Sequence, residues 1–500
     1  MELKQDNFIR LINIKILHCK ALFVLTFLVS QFLVSQEVIR KGAHELQKEE
    51  FGKLETIQKN SNTNKDEIIS LRQGQVNTLN KKVFGFLPYW EQSNNAHSNI
   101  QYNLLSHLAC FDFLVQLDAS IDTPAGWPWV TEINAAHAAG TKVIMTVVNF
   151  GGADGADAVA WELFTNTTKR DIFFANIKSR IQVDNLDGVN IDFEGLSSAH
   201  RGAELNTFMA DLTSYIHTEL PGKEVSFDGP AVNWGGWLID GLVNSVDYLV
   251  VMAYDYTGAN DGFSGPVSPL THHTLTKRFV TRTIETGTYA IPTANNPEKL
   301  ILAVPYYGQH WKTTSNASES ATTAYVGSTR FKNTITEADT YGGFIWNSDF
   351  EYPWYTWNDG TSWHQVWTDN ELSISKKFDL AIADNLGGVG MWALNYDGNR
   401  PELWDLINTK FGATASLSDD YIKDNIKVYP NPTNGLIIIA NNANLKTSKV
   451  DLFNFLGQSI MKINPTNKSI DLSHLDNGMY FLNIENNEGN KQTFKILKSN

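Results

Sequence analysis

Leu186-Asp187-Gly188-Val189-Asn190-Ile191-Asp192-Phe193-Glu194-Gly195 is the stretch from which the rest of the chain can be read. Side chains alternate across a β-strand, so Asn190, Asp192 and Glu194 share one face and Val189, Ile191 and Phe193 the other. An apolar face backed by a row of polar groups fits a buried strand whose polar side looks into a cavity. A solvated edge strand would not need such apolar neighbours. Two acids on one buried face repel each other and lose hydration. One of them is thereby pushed toward a raised pKa, as a general acid working near neutral pH requires. Asp187-Gly188 reads as the turn that leads into the strand.

Seven further apolar segments surround this one, at 83–89, 104–113, 142–148, 224–230, 246–252, 300–306 and 388–394. Helical patterns lie between them, for example over 158–178, 201–220 and 373–386. Eight buried strands alternating with helices predict an α/β fold, a closed parallel (β/α)8 TIM barrel, over residues 82–412. Chemistry in such barrels sits at the C-terminal ends of the strands, and Glu194, Tyr254, Asp255 and Trp392 fall at or near such ends. The stretch 309–369 is too long for a plain loop. Its tryptophans (Trp311, Trp346, Trp354, Trp357, Trp363 and Trp367) point to a small α+β insertion walling one side of the cleft, with one or two of them lining the groove.

At 500 residues the chain exceeds one ordinary domain. A net charge of −14 argues against a nucleic-acid partner, because phosphate binding needs a basic surface. The 14 Trp and 17 Tyr suit flat apolar ligands such as sugar rings. Of the 2 cysteines, Cys19 lies in a segment expected to be removed, and Cys110 is then an ordinary buried thiol without a disulfide partner. No Cys/His cluster has zinc spacing, and His272-His273 reads as a surface pair. Asp255, Asn260 and Asp261 lack the spacing of an EF-hand loop. Gly151-Gly152-Ala153-Asp154-Gly155 lacks the ending of a phosphate loop and reads as a plain βα loop. No metal and no cofactor are expected.

Arg10, Lys15 and Lys20 precede an apolar run over 21–34, with Ser35 and Gln36 as a cleavage region, so 1–36 reads as an export signal. The run is short for a bilayer crossing, and no stable membrane span is expected in the mature chain. Residues 37–81 are polar, with a weak helical period through Leu46, Phe51, Leu54 and Ile57. They read as a linker or isolated helix carrying no chemistry. A second linker is expected over 413–425, and 426–500 shows short strands between Asn/Gly turns, a small all-β domain.

The barrel resembles the family 18 glycoside hydrolases, the chitinase group. The family's strand-four signature, Asp-Gly-x-Asp-x-Asp-x-Glu, maps onto Asp187, Gly188, Asn190, Asp192 and Glu194. Its Met-x-Tyr-Asp maps onto Met252, Tyr254 and Asp255, and its strand-eight tryptophan onto Trp392. The Gly-Phe-x-Pro-Tyr-Trp around Phe86 and Tyr89 and the Pro-Tyr-Tyr-Gly at 305–308 are similar as well. The C-terminal segment resembles the sorting domain of the type IX secretion system. It carries Tyr429-Pro430-Asn431-Pro432, Phe453-Asn454-Phe455-Leu456-Gly457, Leu475-Asp476-Asn477-Gly478-Met479-Tyr480 and a terminal Lys495-Ile496-Leu497-Lys498 in order.

The resemblance implies a secreted or cell-surface hydrolase of β-1,4 N-acetylglucosamine linkages, in chitin or chitooligosaccharides, exported by type IX machinery. Glu194, Asp192 and Tyr254 are its implied catalytic residues, and Asn190, Asp255, Met252, Trp392, Tyr89 and Phe86 its substrate contacts. Asp192 and Glu194 project side by side and cannot flank a sugar, as an ordinary retaining pair does. A substrate-assisted route resolves this. Glu194 protonates the leaving oxygen and the substrate's 2-acetamido carbonyl attacks the anomeric carbon. Asp192 holds the acetamide N–H while Tyr254 bonds its oxygen. Two departures stand out. Asn190 replaces the family's middle aspartate, which leaves Asp192 without a protonatable neighbour and implies a changed pH profile. Strand three carries Thr146-Val147-Val148-Asn149-Phe150-Gly151-Gly152 in place of the usual Ser-x-Gly-Gly. A peptidoglycan or glycan N-acetylglucosaminidase of the same family and a non-catalytic chitin-binding barrel are the competing readings.

Overall fold

The computed structural model describes residues 41–52, 68–71, 79–92, 96–150, 155–274, 277–412, 426–441, 447–454, 458–486 and 491–499. The expected export signal, the 413–425 linker and most of the Gly151–Gly155 loop lie outside the described residues. Two compact units divide at Gly412 and Ala413.

The first unit is a closed barrel. Its strands are β1 (Lys82–Pro88), β2 (His107–Val115), β3 (Lys142–Val148), β4 (Gly188–Asp192), β5 (Glu224–Pro230), β6 (Tyr248–Met252), β7 (Leu300–Pro305) and β8 (Gly388–Trp392). All neighbouring pairs are parallel, in the order β1-β8-β7-β6-β5-β4-β3-β2, and β1 pairs with β2 to close the ring. The alternation read in β4 is what the barrel uses. Every residue from Gly188 to Asp192 is buried. Beyond the strand, Phe193 turns outward among Phe173 and Phe208, on helices Thr167–Val183 and Ala203–Glu219. That apolar seam leaves the barrel interior to Asn190, Asp192 and Glu194.

Three local readings change. The helix expected over 158–178 is two helices, Ala156–Thr165 and Thr167–Val183. Asn166 separates them with extended backbone, and its side chain accepts from Lys169 N, the cap that restarts the helix. Gly188 is no turn residue. It opens β4 where any Cβ would run into the carbonyl of Glu224 on β5, so the close approach demands glycine. The third change concerns 37–81. Its first part forms helix α1 (Ala43–Phe51), which is not isolated but packed on the barrel with His44, Glu45, Gln47 and Phe51 buried.

The insertion is a five-stranded antiparallel sheet, Tyr307–Thr313, Thr322–Arg330, Ile345–Asn347, Tyr352–Asn358 and Trp363–Thr368, with helix Phe331–Thr340 between its strands. Trp311, Trp354 and Trp367 belong to the core, the last two stacked at 5.0 Å. The side chains that the insertion hands to the site are Tyr307 and Gln309. The second unit holds two antiparallel sheets of three and four strands around Ile437, Leu452, Leu482, Ile484 and Ile496. Among the described residues, no helix is long and apolar enough to cross a membrane. Cys110 is free and buried.

The foot of the barrel is tied by charge. Glu224, first residue of β5, accepts from His107 Nε2 at 2.8 Å and pairs with Lys142 Nζ, so the opening residues of β2, β3 and β5 meet on one carboxylate. Tyr248, first residue of β6, adds its hydroxyl at 3.2 Å. Burial alone would raise the Glu224 carboxyl, but His107 and Lys142 outweigh it and hold it at about 2. A carboxyl depressed in the folded state stabilises the fold above its unfolded pKa, and that contribution fades as pH falls through about 4 toward 2. Denaturant unfolding between pH 7 and pH 3 should therefore show an acid loss of stability. Glu224→Gln should cost about 2–3 kcal/mol at pH 7 and flatten that loss; an unchanged acid slope would remove Glu224 as its source.

Candidate active site

At the opposite end of the barrel the strands deliver the residues singled out in the sequence. Asp192 ends β4 fully buried, and Glu194, two residues on, is 8% exposed. Asn149, just past β3, clamps the acid's backbone from both sides. Its Oδ1 accepts from Glu194 N at 3.0 Å and its Nδ2 donates to Glu194 O at 3.0 Å. The departure in strand three thus has a structural role: it fixes where Glu194 points.

Trp392, at the end of β8, is fully buried. Phe111 meets it edge-on at 4.7 Å, and Phe86 and Trp90 complete its aromatic surround. Tyr254 follows β6 and is buried. Asp255, next along, sits at φ +54°, a left-handed conformation that turns its carboxylate toward the insertion. There Oδ1 accepts from Tyr307 Oη and Gln309 Nε2, both at 2.6 Å. Burial raises Asp255 to about 6 against those two donors. Met252 is half-buried at the end of β6. Tyr89, also half-buried, lies at the end of β1 against Trp90, and its phenol is pushed up to about 12 by burial and by Asp112.

Electrostatics at the mouth are set by crowding. Burial and Asp192 together push Glu194 well above the ordinary carboxylate range. Asp192 is raised by burial and by Asp112, a buried carboxylate on β2. Asn190 does not leave Asp192 without a protonatable neighbour. Its Nδ2 donates to Asp228 Oδ2 at 2.8 Å, and its Oδ1 accepts from Ser226 Oγ at 2.6 Å. Asp228 is a buried acid on β5, raised by burial and by Asp192. Asp192 Oδ1 and Asp228 Oδ1 are both buried with no hydrogen-bond partner. The acid missing from position 190 is therefore replaced from the next strand. Its signal was present in the sequence, since Glu224, Ser226 and Asp228 alternate with Val225 and Phe227 as the β4 residues do.

Helix α1 lies across these groups. His44 Nδ1 is 2.7 Å from Asp192 Oδ2, and its Nε2 is 2.7 Å from Tyr254 Oη. Its ring stacks on Trp392 with centroids 3.8 Å apart. Glu45 N donates to Glu194 Oε2 at 3.4 Å. Gln47 Oε1 accepts from Trp392 Nε1 at 2.8 Å and from Tyr396 Oη at 3.0 Å, and Lys48 pairs with Asp112. Hydrophobic periodicity gives this helix only a weak signal and no role at the site, because the face it buries is largely polar while Leu46 is only half-buried.

Two groups of donors are close enough to hold a cation among the described residues, His44–Asp192–Glu194 and His272–His273–Asp349. In the first, both imidazole nitrogens are engaged by Asp192 and Tyr254, which leaves no lone pair for a metal. In the second, His272 is buried, not on the surface as expected, and its Nδ1 already accepts from Thr274 N. His273 and Asp349 are exposed.

The chain is similar to known proteins. Residues 82–397 match the model of the glycosyl hydrolases family 18, and 427–499 that of a secretion system C-terminal sorting domain. Human di-N-acetylchitobiase is 28% identical over 265 residues, 45% of this chain and 64% of that protein. A cortical fragment-lytic enzyme of Bacillus subtilis is 23% identical over 321 residues, 61% of this chain and 68% of that protein. This chain thus spans less than two thirds of the human relative. In fold, the group IV chitinase of Ostrinia furnacalis superposes with a TM-score of 0.58 at 18% identity, over 66% of this chain and 99% of the other. With the family model matched from the first barrel strand to just beyond the last, the chain belongs to glycosyl hydrolase family 18.

Proposed function

We propose that the protein is an exported glycoside hydrolase that cuts β-1,4 N-acetylglucosamine linkages in chitin or chitooligosaccharides by substrate-assisted, retaining catalysis. The observation that carries this reading is the grouping of Asp192, Glu194 and Tyr254 around the Trp392 floor. Asp192 and Glu194 rise from one strand and cannot stand on opposite sides of a sugar, so the nucleophile is assigned to the substrate. The sugar's C–H face lies on Trp392. Its acetamide N–H donates to Asp192, and Tyr254 donates to the acetamide oxygen and sets its line of attack on the anomeric carbon. Glu194, kept protonated by burial and by Asp192, gives its proton to the leaving oxygen. The oxazolinium ion that forms is stabilised by ionised Asp192, whose surplus proton Asp228 can hold. Water then attacks the anomeric carbon, and Glu194 takes its proton back as base.

Asp255, with Tyr307 and Gln309, is assigned to the rim of the same subsite, with Met252, Phe86 and Tyr89. The sorting domain supports export through type IX machinery, with 1–36 as the signal that starts it and 426–500 as the part that is read. A peptidoglycan N-acetylglucosaminidase would use the same residues, and the match to a cortical fragment-lytic enzyme keeps that reading beside the first.

Glu194→Gln should lower kcat on chitin oligomers by about 10²–10⁴, the range for a lost general acid, and undiminished turnover would end the assignment. A time course of product lengths from a chitin hexasaccharide, run beside cell-wall glycan fragments, separates the two substrate readings. Asn190→Asp places a third carboxyl against Asp192 and Asp228 and removes the amide donor. Such a buried acid has a raised folded pKa, so its cost is small near pH 4 and grows toward neutral pH. Thermal or urea unfolding should show a loss of about 2–4 kcal/mol at pH 7 and much less at pH 4; equal losses at both would exclude charge as the cause.

A further inference from the structure

The seating of α1 has the features of a ligand in its site. His44 presents one N–H donor edge and one acceptor edge on a flat ring. When Nδ1 carries the proton it donates to Asp192 at 2.7 Å, and Nε2 accepts from Tyr254 Oη at 2.7 Å. An acetamide group offers the same pair, N–H to Asp192 and oxygen to Tyr254. The ring lies on Trp392 at 3.8 Å with 26° between planes, where the mechanism lays a sugar. The first turn of α1 faces Glu194, whose carboxylate accepts Glu45 N. Gly42 comes so close that a Cβ would overlap the Glu194 carboxylate. No room is left at that carboxylate for a leaving oxygen.

The remaining contacts hold the helix along the groove. Gln47 takes the Trp392 and Tyr396 donors, and Lys48 neutralises Asp112. Phe51 lies under the Arg330 guanidinium at 4.1 Å and against Tyr396. Glu50 accepts from Ser328 N of the insertion at 3.0 Å. Gly327 makes this possible, since a Cβ there would crowd Glu50. The contacts thus run from the acid at the barrel axis out to the insertion.

We propose that residues 42–51 are a built-in substrate mimic, an inhibitory segment of this chain that fills the acetamide subsite through His44 and blocks Glu194 through Gly42 and Glu45. The proposal rests on the hydrolase reading for what is inhibited, but not for the occupancy itself. It lies downstream of the expected signal cleavage at 36, so the mature chain keeps it. Activity then follows the unseating of α1, either by hydrolysis of a peptide bond between α1 and β1 or by displacement.

The test is the full chain with a specific protease site inserted within 53–67, assayed on chitotetraose before and after cutting and dilution. Cutting should raise kcat/KM at least tenfold. A synthetic peptide of residues 41–52 should then restore inhibition by raising KM without changing kcat, and the same peptide with His44→Ala should not. In the uncut chain, His44→Ala should by itself raise kcat/KM. Equal rates before and after cutting, with no competition by the peptide at millimolar concentration, would overturn the proposal and leave the hydrolase reading intact. Binding of the 41–52 peptide to cut protein that hydrolyses no glycoside would uphold the occupancy and sink the hydrolase reading. Tryptophan fluorescence reports that binding independently of turnover.

Discussion

Too many carboxyl groups share too little water at the mouth of this barrel. Asp112, Asp192, Asp228 and Glu194 are all buried, and Asp255 is partly so. Ionising each in turn costs more because the others are there. Protons are therefore retained by a shared set, and the strand geometry decides which atoms carry them. Asn190 is the neutral spacer. Its amide donates to Asp228 Oδ2 and its carbonyl accepts from Ser226, so β4 and β5 are cross-linked without a further charge. The rest of the cleft can be understood as arrangements that tolerate this crowding: aromatic walls that exclude water, the Asn149 clamp on Glu194, and two donors on Asp255.

The two ends of the barrel treat the same residue type in opposite ways. At the foot, Glu224 is surrounded by His107, Lys142 and Tyr248 and is held ionised. Asp187 is likewise lowered there, burial being outweighed by His137, Lys223 and the Val143 amide. At the mouth, the acids face one another and Glu194 is raised. Both ends belong to the same eight strands, so the direction of each shift follows from which partners the register brings alongside. Stability is concentrated at one end and reactivity at the other.

Much of this was legible in the chain, and the reason is periodicity. The alternation from Val189 to Glu194 announces a strand with one polar face, and that pattern survives folding unchanged. Trp392 and Tyr254 could be placed because they follow apolar runs long enough to be strands. Asp228 was equally visible by the same alternation in β5, but a single acid among Ser226 and Gly229 does not stand out until Asp192 is beside it. Asn149 and Gln309 were hidden for a different reason: their work is done through backbone clamps and hydrogen bonds across loops, which leave no periodic trace. The place of helix α1 at the site was missed because pattern reading equates burial with apolar residues, whereas its His44, Glu45 and Gln47 are buried through polar contacts with the site. Of the insertion's tryptophans, one or two were expected to line the groove; Trp311, Trp354 and Trp367 are core.

Helix α1 is covalently part of the chain that forms the barrel, and this changes the affinity it needs. A ligand joined covalently to its own site experiences an effective concentration far above that of a free peptide in dilute solution. A helix of one polar face, with only a few charge-assisted contacts, can hold its place under those terms without binding tightly in itself. Once severed, the same piece is diluted by orders of magnitude and would not return. A weak ligand on a leash can thus serve as a one-way latch, and the modest, mostly polar character of α1 is what such a device calls for.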